Sequence, residues 1–226
     1  SEIPSFIGNL SKLDTILLSE NKIKEIPESF GNLKKLSRLD ISNNKLSRLP
    51  KSFSQLESLQ VFQISKNELT ALPKDIGRLK KLTFLQANDN NISELPESFY
   101  ELENLKTFEI LNNNISEISP KIKNLKSLDA ISFGGNKLSN IPKEISELPN
   151  LTFVNLNNNR LTRLPDELIN VKLEEIRIDN NQFTEFPEVL LKIPTLTKIS
   201  IKGNKIKNPE KYEKLLTERG IEYISY

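Results

Sequence analysis

The chain has 226 residues and a mass of 25.9 kDa, which is enough for one sizeable hydrophobic core. Its 32 basic and 30 acidic residues give a net charge of +2, which excludes a polycation built to bind nucleic acid and a highly charged disordered tail. Cys and His are both absent, so the sequence excludes disulfides, thiolate nucleophiles, Ser-His-Asp triads and Cys/His zinc sites.

An internal repeat organises the chain. Asparagine recurs at intervals of 23 residues, with one interval of 22, at positions 21, 44, 67, 90, 113, 136, 159, 181 and 204. Counted from Leu36 as position 1 of the second repeat, apolar residues occupy positions 1, 4, 6, 11, 14, 18 and 21, Asn occupies position 9, and Pro usually occupies position 15. This frame predicts nine repeats over residues 13–206, preceded by a partial repeat in residues 1–10.

Each repeat is predicted to contribute one short strand. Positions 4 and 6 are apolar and alternate with positions 3, 5 and 7, which is the periodicity of a strand with one buried side. Strands that recur in the same direction build a parallel sheet, and their inward residues pack against the next coil. The Asn at position 9 follows the strand, where its amide can satisfy buried backbone groups.

The two ends of the chain differ. Residues 3–10 match positions 14 to 21 of the frame without a polar cap, so we expect Ile3, Ile7 and Leu10 to be disordered or to be covered by a neighbouring chain through self-association. At the other end, Asn208 is a predicted N-cap and residues 209–219 a predicted capping helix, followed by an extended segment at residues 221–224.

The frame resembles the leucine-rich repeat, L-x-x-L-x-L-x-x-N-x-L with a Leu-Pro tail, here seen at Leu49-Pro50, Leu72-Pro73, Leu95-Pro96 and Leu164-Pro165. The resemblance implies an α/β repeat fold: a right-handed leucine-rich-repeat solenoid with a parallel sheet on its concave face, an irregular or 3-10 convex side and a C-terminal capping helix. It implies a single domain over residues 1–226, with the cap at 208–226, and no cofactor or metal.

The Lys-, Asn- and Ile-rich composition resembles that of the secreted or surface leucine-rich-repeat proteins of pathogenic spirochaetes. This resemblance implies an exported, extracellular or surface-bound bacterial protein that engages host surface molecules. The alternative is a cytoplasmic signalling scaffold that resembles the Ras-suppressor type of repeat protein. Neither implies an enzyme, and the sequence predicts no catalytic residues and no deep pocket.

The outward residues of the strands carry the predicted function. Phe84, Leu111 and Phe153 place apolar side chains on a face that is otherwise polar, and small residues between them predict a shallow furrow. Scattered apolar residues on a surface are the ordinary alternative. The predicted partner-binding residues are Phe84, Gln86, Asn88, Glu109, Leu111, Ser132, Gly134, Phe153, Asn155 and Asn157.

The C-terminal end carries more positive charge than the rest of the chain. Arg177, Lys198, Lys202 and Lys205 are predicted to lie near one another and to bind an anion such as a sulfated glycan. A solvated charged end is the alternative. The predicted partners are therefore a protein on the concave face or this glycan, and not nucleic acid. The sequence predicts no membrane-spanning segment, since no apolar run approaches the roughly 18 residues that a span requires.

Overall fold

The computed structural model describes residues 2–223, which form two compact units divided between residues 114 and 115. Each unit repeats one motif: a three-residue strand, a turn, and a return segment that contains a 3-10 helical turn. The strands of the first unit are β1 (Thr15–Leu17), β2 (Arg38–Asp40), β3 (Val61–Gln63), β4 (Phe84–Gln86) and β5 (Thr107–Glu109). Its 3-10 turns are Ser5–Asn9, Glu28–Asn32, Lys51–Gln55, Ile76–Arg78 and Glu97–Glu101.

The second unit has the same construction and ends in a helix. Its strands are β6 (Ala130–Ser132), β7 (Phe153–Asn155), β8 (Glu175–Arg177), β9 (Lys198–Ser200) and β10 (Glu222–Tyr223). Its 3-10 turns are Pro120–Asn124, Lys143–Glu147, Asp166–Asn170 and Glu188–Lys192, and its α-helix, α1, is Pro209–Glu218. The predicted fold class, a leucine-rich-repeat arrangement of parallel strands, 3-10 turns and a C-terminal helix, is confirmed.

Strands in each unit pair in parallel and in the register of the repeat. Arg38 of β2 aligns with Val61 of β3, and Val61 aligns with Phe84 of β4, so that equivalent positions of successive repeats stand side by side. The central residue of each three-residue strand is buried and its two neighbours are more exposed, except in β6 and β9, where the last residue is also buried. One face of each sheet therefore covers the core, and the other face presents positions 3 and 5 to solvent.

Phenylalanine side chains join the return segments to the sheet in the first unit. The Phe53 ring, on a 3-10 turn, lies 4.7 Å from the Phe62 ring of β3, measured between centroids. The Phe99 and Phe108 rings repeat this contact at 4.6 Å. All four side chains are fully buried, so the turn and the strand of a coil share one apolar core.

The asparagines at position 9 form the predicted ladder. The Asn44 Oδ1 atom accepts a hydrogen bond from the backbone N–H of Ile23 in the preceding repeat at 2.9 Å. The Asn44 Nδ2 atom donates to the carbonyl oxygens of Leu18 at 2.9 Å and Ile41 at 3.1 Å. From Asn44 onwards these amides satisfy backbone groups of two successive repeats, whereas the exposed Asn21 bonds only to its own repeat.

Position 8 of the repeat requires a left-handed backbone, which the sequence pattern alone did not reveal. Non-glycine residues at this position have φ between 51° and 58°, as at Asn43, Asn112 and Asn158, and Gly135 has φ 69°. Asparagine and glycine adopt this conformation most readily. Gly135 therefore has a backbone reason for its place in the Gly134-Gly135 pair.

The C-terminal helix packs against the last repeat. The Tyr212 ring stacks on the Phe186 ring with centroids 4.5 Å apart and planes inclined by 10°. Asn208 is the N-cap residue of this helix, as predicted; it has φ 53° and its side chain makes no capping hydrogen bond. Of the predicted extended segment, Glu222–Tyr223 is a strand, and residue 224 lies outside the described residues.

The N-terminal coil has a regular 3-10 turn and exposes apolar side chains. Phe6 is 61% exposed and Leu10 is 44% exposed, whereas Ile3 and Ile7 are half-buried. Self-association through this end stays a prediction.

Candidate functional site

The candidate site is the open face of each sheet, defined as the side chains at positions 3, 5 and 7 of the repeats. The ten predicted partner-binding residues divide between the units. Five belong to the first unit: Phe84, Gln86, Asn88, Glu109 and Leu111. Five belong to the second unit: Ser132, Gly134, Phe153, Asn155 and Asn157.

Outward side chains of the first unit form a chain of hydrogen bonds across four strands, here called the polar ladder: Arg38 at position 3 of β2, and Gln63, Gln86 and Glu109 at position 5 of the next three strands. The Arg38 guanidinium donates to Gln63 Oε1 at 3.5 Å, and Gln63 Nε2 donates to Gln86 Oε1 at 3.3 Å. Gln86 Nε2 then donates to Glu109 Oε2 at 2.8 Å. The register of the sheet makes this possible, because it aligns Gln63, Gln86 and Glu109 on neighbouring strands.

The two ends of the polar ladder fix the direction of its amides. A guanidinium can only donate and a carboxylate can only accept, whereas an amide does both. With Arg38 at one end and Glu109 at the other, both glutamine oxygens must point towards Arg38 and both nitrogens towards Glu109. Reversing either glutamine would bring two donors or two acceptors together. The polar ladder therefore runs from a cation to an anion. Asp40, which the register aligns with Gln63, is a further carboxylate on this face and accepts from the backbone N–H of Ser42 at 3.0 Å.

Asn88 ties the end of the polar ladder to the backbone. Its Nδ2 atom donates to Glu109 Oε2 at 3.1 Å, and its Oδ1 atom accepts from the backbone N–H of Leu111 at 2.7 Å. Its own N–H donates to Ser65 Oγ at 3.1 Å. Glu109 is thus held by two amide donors on one oxygen, and this half-buried carboxylate has a defined orientation.

Apolar side chains flank the polar ladder. Phe84 and Leu111 are half-buried rather than fully in water as the sequence led us to expect, because neighbouring strands cover part of each side chain. Val61, beside Phe84, is also half-buried. The most exposed apolar residue on this face is Leu17 of β1, at 62%.

In the second unit, Phe153 is joined to a residue of the predicted anion site. The Arg177 guanidinium carbon lies 5.3 Å from the centroid of the Phe153 ring, within the range of a cation–π contact. Arg177 Nε also donates to Glu175 Oε1 at 2.6 Å. The ring is half-buried beneath this pair, so Phe153 offers less free apolar surface than the sequence indicated.

Two other predicted residues of the second unit accept hydrogen bonds from backbone N–H groups. Asn155 Oδ1 accepts from the N–H of Asn157 at 3.1 Å, and Asn157 Oδ1 accepts from the N–H of Asp179 at 2.7 Å. Ser132 and Gly134 are buried, so they are less accessible to a partner than the predicted furrow requires.

Carboxylates accompany the four basic residues at the C-terminal end. Lys198 Nζ lies 3.5 Å from Glu222 Oε2, and Arg177 pairs with Glu175 as described. The backbone N–H of Lys202 donates to Asp179 Oδ1 at 2.7 Å. Lys205 is exposed. Two of the four charges are thus offset by neighbouring acids, which reduces the attraction of this end for an anion.

Sequence reasoning did not include Arg38, Gln63 and Leu17 among the predicted partner-binding residues. All three occupy outward positions in the same frame, so the signal was present in the alternation of the strand. What the pattern did not contain was which outward side chains reach one another. Among residues 2–223, no group of acidic residues is arranged to hold a metal ion, and no helix is both long and apolar enough to cross a bilayer.

A family model described as Leucine rich repeat matches residues 4–46 and 104–161. Comparison with curated proteins gives no significant match. The fold is similar to that of a leucine-rich-repeat protein of Leptospira interrogans, with 29% identity, a TM-score of 0.70 and coverage of 98% of this chain and 69% of that chain.

Two further structures are similar. The plant peptide hormone receptor RGFR1 in complex with RGF2 is 33% identical with a TM-score of 0.81, and the match covers 90% of this chain but 34% of the receptor. An internalin of Listeria monocytogenes is 20% identical with a TM-score of 0.86, covering 100% of this chain and 64% of that chain, which shows likeness of fold alone. The chain thus spans about a third of the plant receptor. Proteins of this fold commonly bind other proteins.

Proposed function

We propose that the chain is a non-catalytic module that binds a protein partner through the open faces of its sheets. The observation that carries the proposal is the polar ladder with its apolar flanks. It holds hydrogen-bonding groups with capacity left for a partner, a positive and a negative charge, and half-buried apolar side chains in fixed positions on one surface. A surface that is ordered before binding loses less conformational entropy when a partner arrives.

The plant receptor in complex with RGF2 supports a polypeptide as the partner class, because its similarity extends over 90% of this chain. A sulfated glycan at the C-terminal end is the competing candidate. It receives less support, because Glu175 and Glu222 accompany two of the four basic residues there.

Truncating the apolar residues of the open faces should weaken partner capture. We expect a Phe84→Ala/Phe153→Ala double variant to recover at least tenfold less of a partner than the parent protein in parallel pull-downs. Truncations at the centre of an interface often cost 2 kcal/mol or more. Thermal denaturation of both proteins checks that the double variant is folded.

Phe6→Ala is the matched control, since Phe6 is 61% exposed on a 3-10 turn away from the open face. It should capture the partner as the parent does. A partner that is retained by the double variant, yet lost with Lys202→Ala or added salt, would contradict the proposal and favour the basic end.

We further propose that the natural protein is a bacterial protein exported to the cell surface or beyond, where it engages host surface molecules. The similarity to the Leptospira interrogans protein over 98% of this chain and the Lys/Asn/Ile-rich composition support this setting. The alternative is the cytoplasmic scaffold.

Protease treatment of intact cells that express the full-length gene should degrade the exported protein, whereas a cytoplasmic marker protein survives. Protection equal to that of the marker would contradict export.

A further inference from the structure

The polar ladder carries an inference about the partner, which rests on the proposed function and deepens it. Its two terminal charges keep free hydrogen-bonding capacity. Glu109 receives both of its amide donors on Oε2, and its Oε1 atom has no partner among residues 2–223. Arg38 is exposed and uses one N–H on Gln63, and within the same described residues neither Arg38 nor Glu109 forms an ion pair.

The two charges are separated by a distance that an extended peptide can match. They stand on β2 and β5, three strand spacings apart across the sheet, which is about 14 Å at roughly 4.8 Å a spacing. Arg38 is at position 3, two residues before the position of Glu109, and its guanidinium reaches Gln63 at position 5. An extended peptide advances about 3.3 Å a residue, so residues i and i+4 are about 13 Å apart. These residues also lie on the same side of the extended chain, as does residue i+2 between them.

The middle of the polar ladder suits an apolar side chain. Val61 and Phe84 lie beside Gln63 and Gln86 on β3 and β4, and both are half-buried with apolar surface facing outward. A side chain at residue i+2 would meet this surface when residues i and i+4 lie over the charges. Each glutamine retains one N–H and one lone pair beyond those used within the polar ladder, enough to bond the peptide backbone.

We propose that the open face of the first unit binds an extended peptide segment with an acidic residue and a basic residue four positions apart and an apolar residue midway between them. The acidic side chain lies over Arg38 and the basic side chain over Glu109. The peptide runs across the strands along the polar ladder. Because Arg38 and Glu109 carry opposite charges, the face selects this charge order rather than two charges of one sign.

Selection from a random peptide library displayed on phage, with the immobilised parent protein as bait, tests this proposal. Enriched peptides should carry the acidic-apolar-basic pattern at positions i, i+2 and i+4. A synthetic copy of an enriched peptide should bind Glu109→Gln and Arg38→Gln about tenfold or more weakly than it binds the parent by fluorescence anisotropy. Moving its basic residue from i+4 to i+3, on the opposite side of the extended chain, should cause a similar loss.

Glu57→Gln and Arg48→Gln are matched controls in the same unit, because these side chains are 74% and 80% exposed away from the open face. Both should bind the peptide as the parent does.

Enriched peptides without the pattern, or equal binding to the parent and to both polar-ladder variants, would overturn this inference and leave the proposed function standing. Failure to enrich any peptide would also overturn it. The proposed function is judged separately by whether the Phe84→Ala/Phe153→Ala variant loses its captured partner.

Discussion

Leu156→Ala is expected to lower the free energy of unfolding by about 2–5 kcal/mol. Leu156 occupies inward position 6 of its repeat and is completely buried. Its backbone N–H donates to the carbonyl of Arg177 at 2.8 Å, so the strand end is held in place and cannot easily move to fill the cavity. Urea denaturation followed by circular dichroism measures the change.

Ile169→Ala is the matched control in the same unit. Ile169 is 43% exposed on a 3-10 turn, so its truncation should cost well under half as much as the truncation of Leu156. If the two variants lose equal free energy of unfolding, the structure is wrong in burying Leu156 and exposing Ile169.

Asn159→Ala is expected to lower the free energy of unfolding by about 1–3 kcal/mol, chiefly because one buried backbone N–H loses its acceptor. Asn159 Oδ1 accepts from the buried N–H of Leu138 at 2.9 Å. Its Nδ2 donates to the carbonyls of Phe133 and Leu156 at 3.0 Å each. Phe133 O keeps a donor in Asn136, and Leu156 O keeps one in Asn181. The Leu138 N–H is the group that loses its acceptor.

Hydrogen exchange therefore adds a local measurement to the denaturation curve. The Leu138 amide should exchange faster in Asn159→Ala than in the parent, by more than the global loss of stability accounts for. Asn140→Ala, at an exposed asparagine of the same unit, should change neither the midpoint of urea denaturation nor the exchange rate of the Leu138 amide. If Asn159→Ala unfolds at the same urea concentration as the parent, the asparagine ladder does not stabilise the repeat as described.

The sequence by itself determined the repeat, the strand of each repeat and the side on which each residue lies. Side-chain alternation has a period of two in a strand, so the apolar positions 4 and 6 already identified the buried face. The recurring Asn at position 9 likewise predicted its bonds to the backbone, because an amide placed where a strand ends has few other groups to satisfy. Phe84 and Glu109 were placed on the open face by the same counting.

Only the tertiary structure decided how outward side chains of different repeats interact. Arg38, Gln63 and Gln86 are 23 to 25 residues from the partners to which they donate. The sequence does not show which side-chain conformations bring such residues into contact. The same holds for Phe153, whose ring was expected in water but is covered by Arg177 from the next strand. The left-handed backbone at position 8 also required the structure, since Glu20, Lys66 and Asp89 occupy it besides Asn and Gly. The hydrogen bonds that position 8 makes with the next coil outweigh the local preference of those residues.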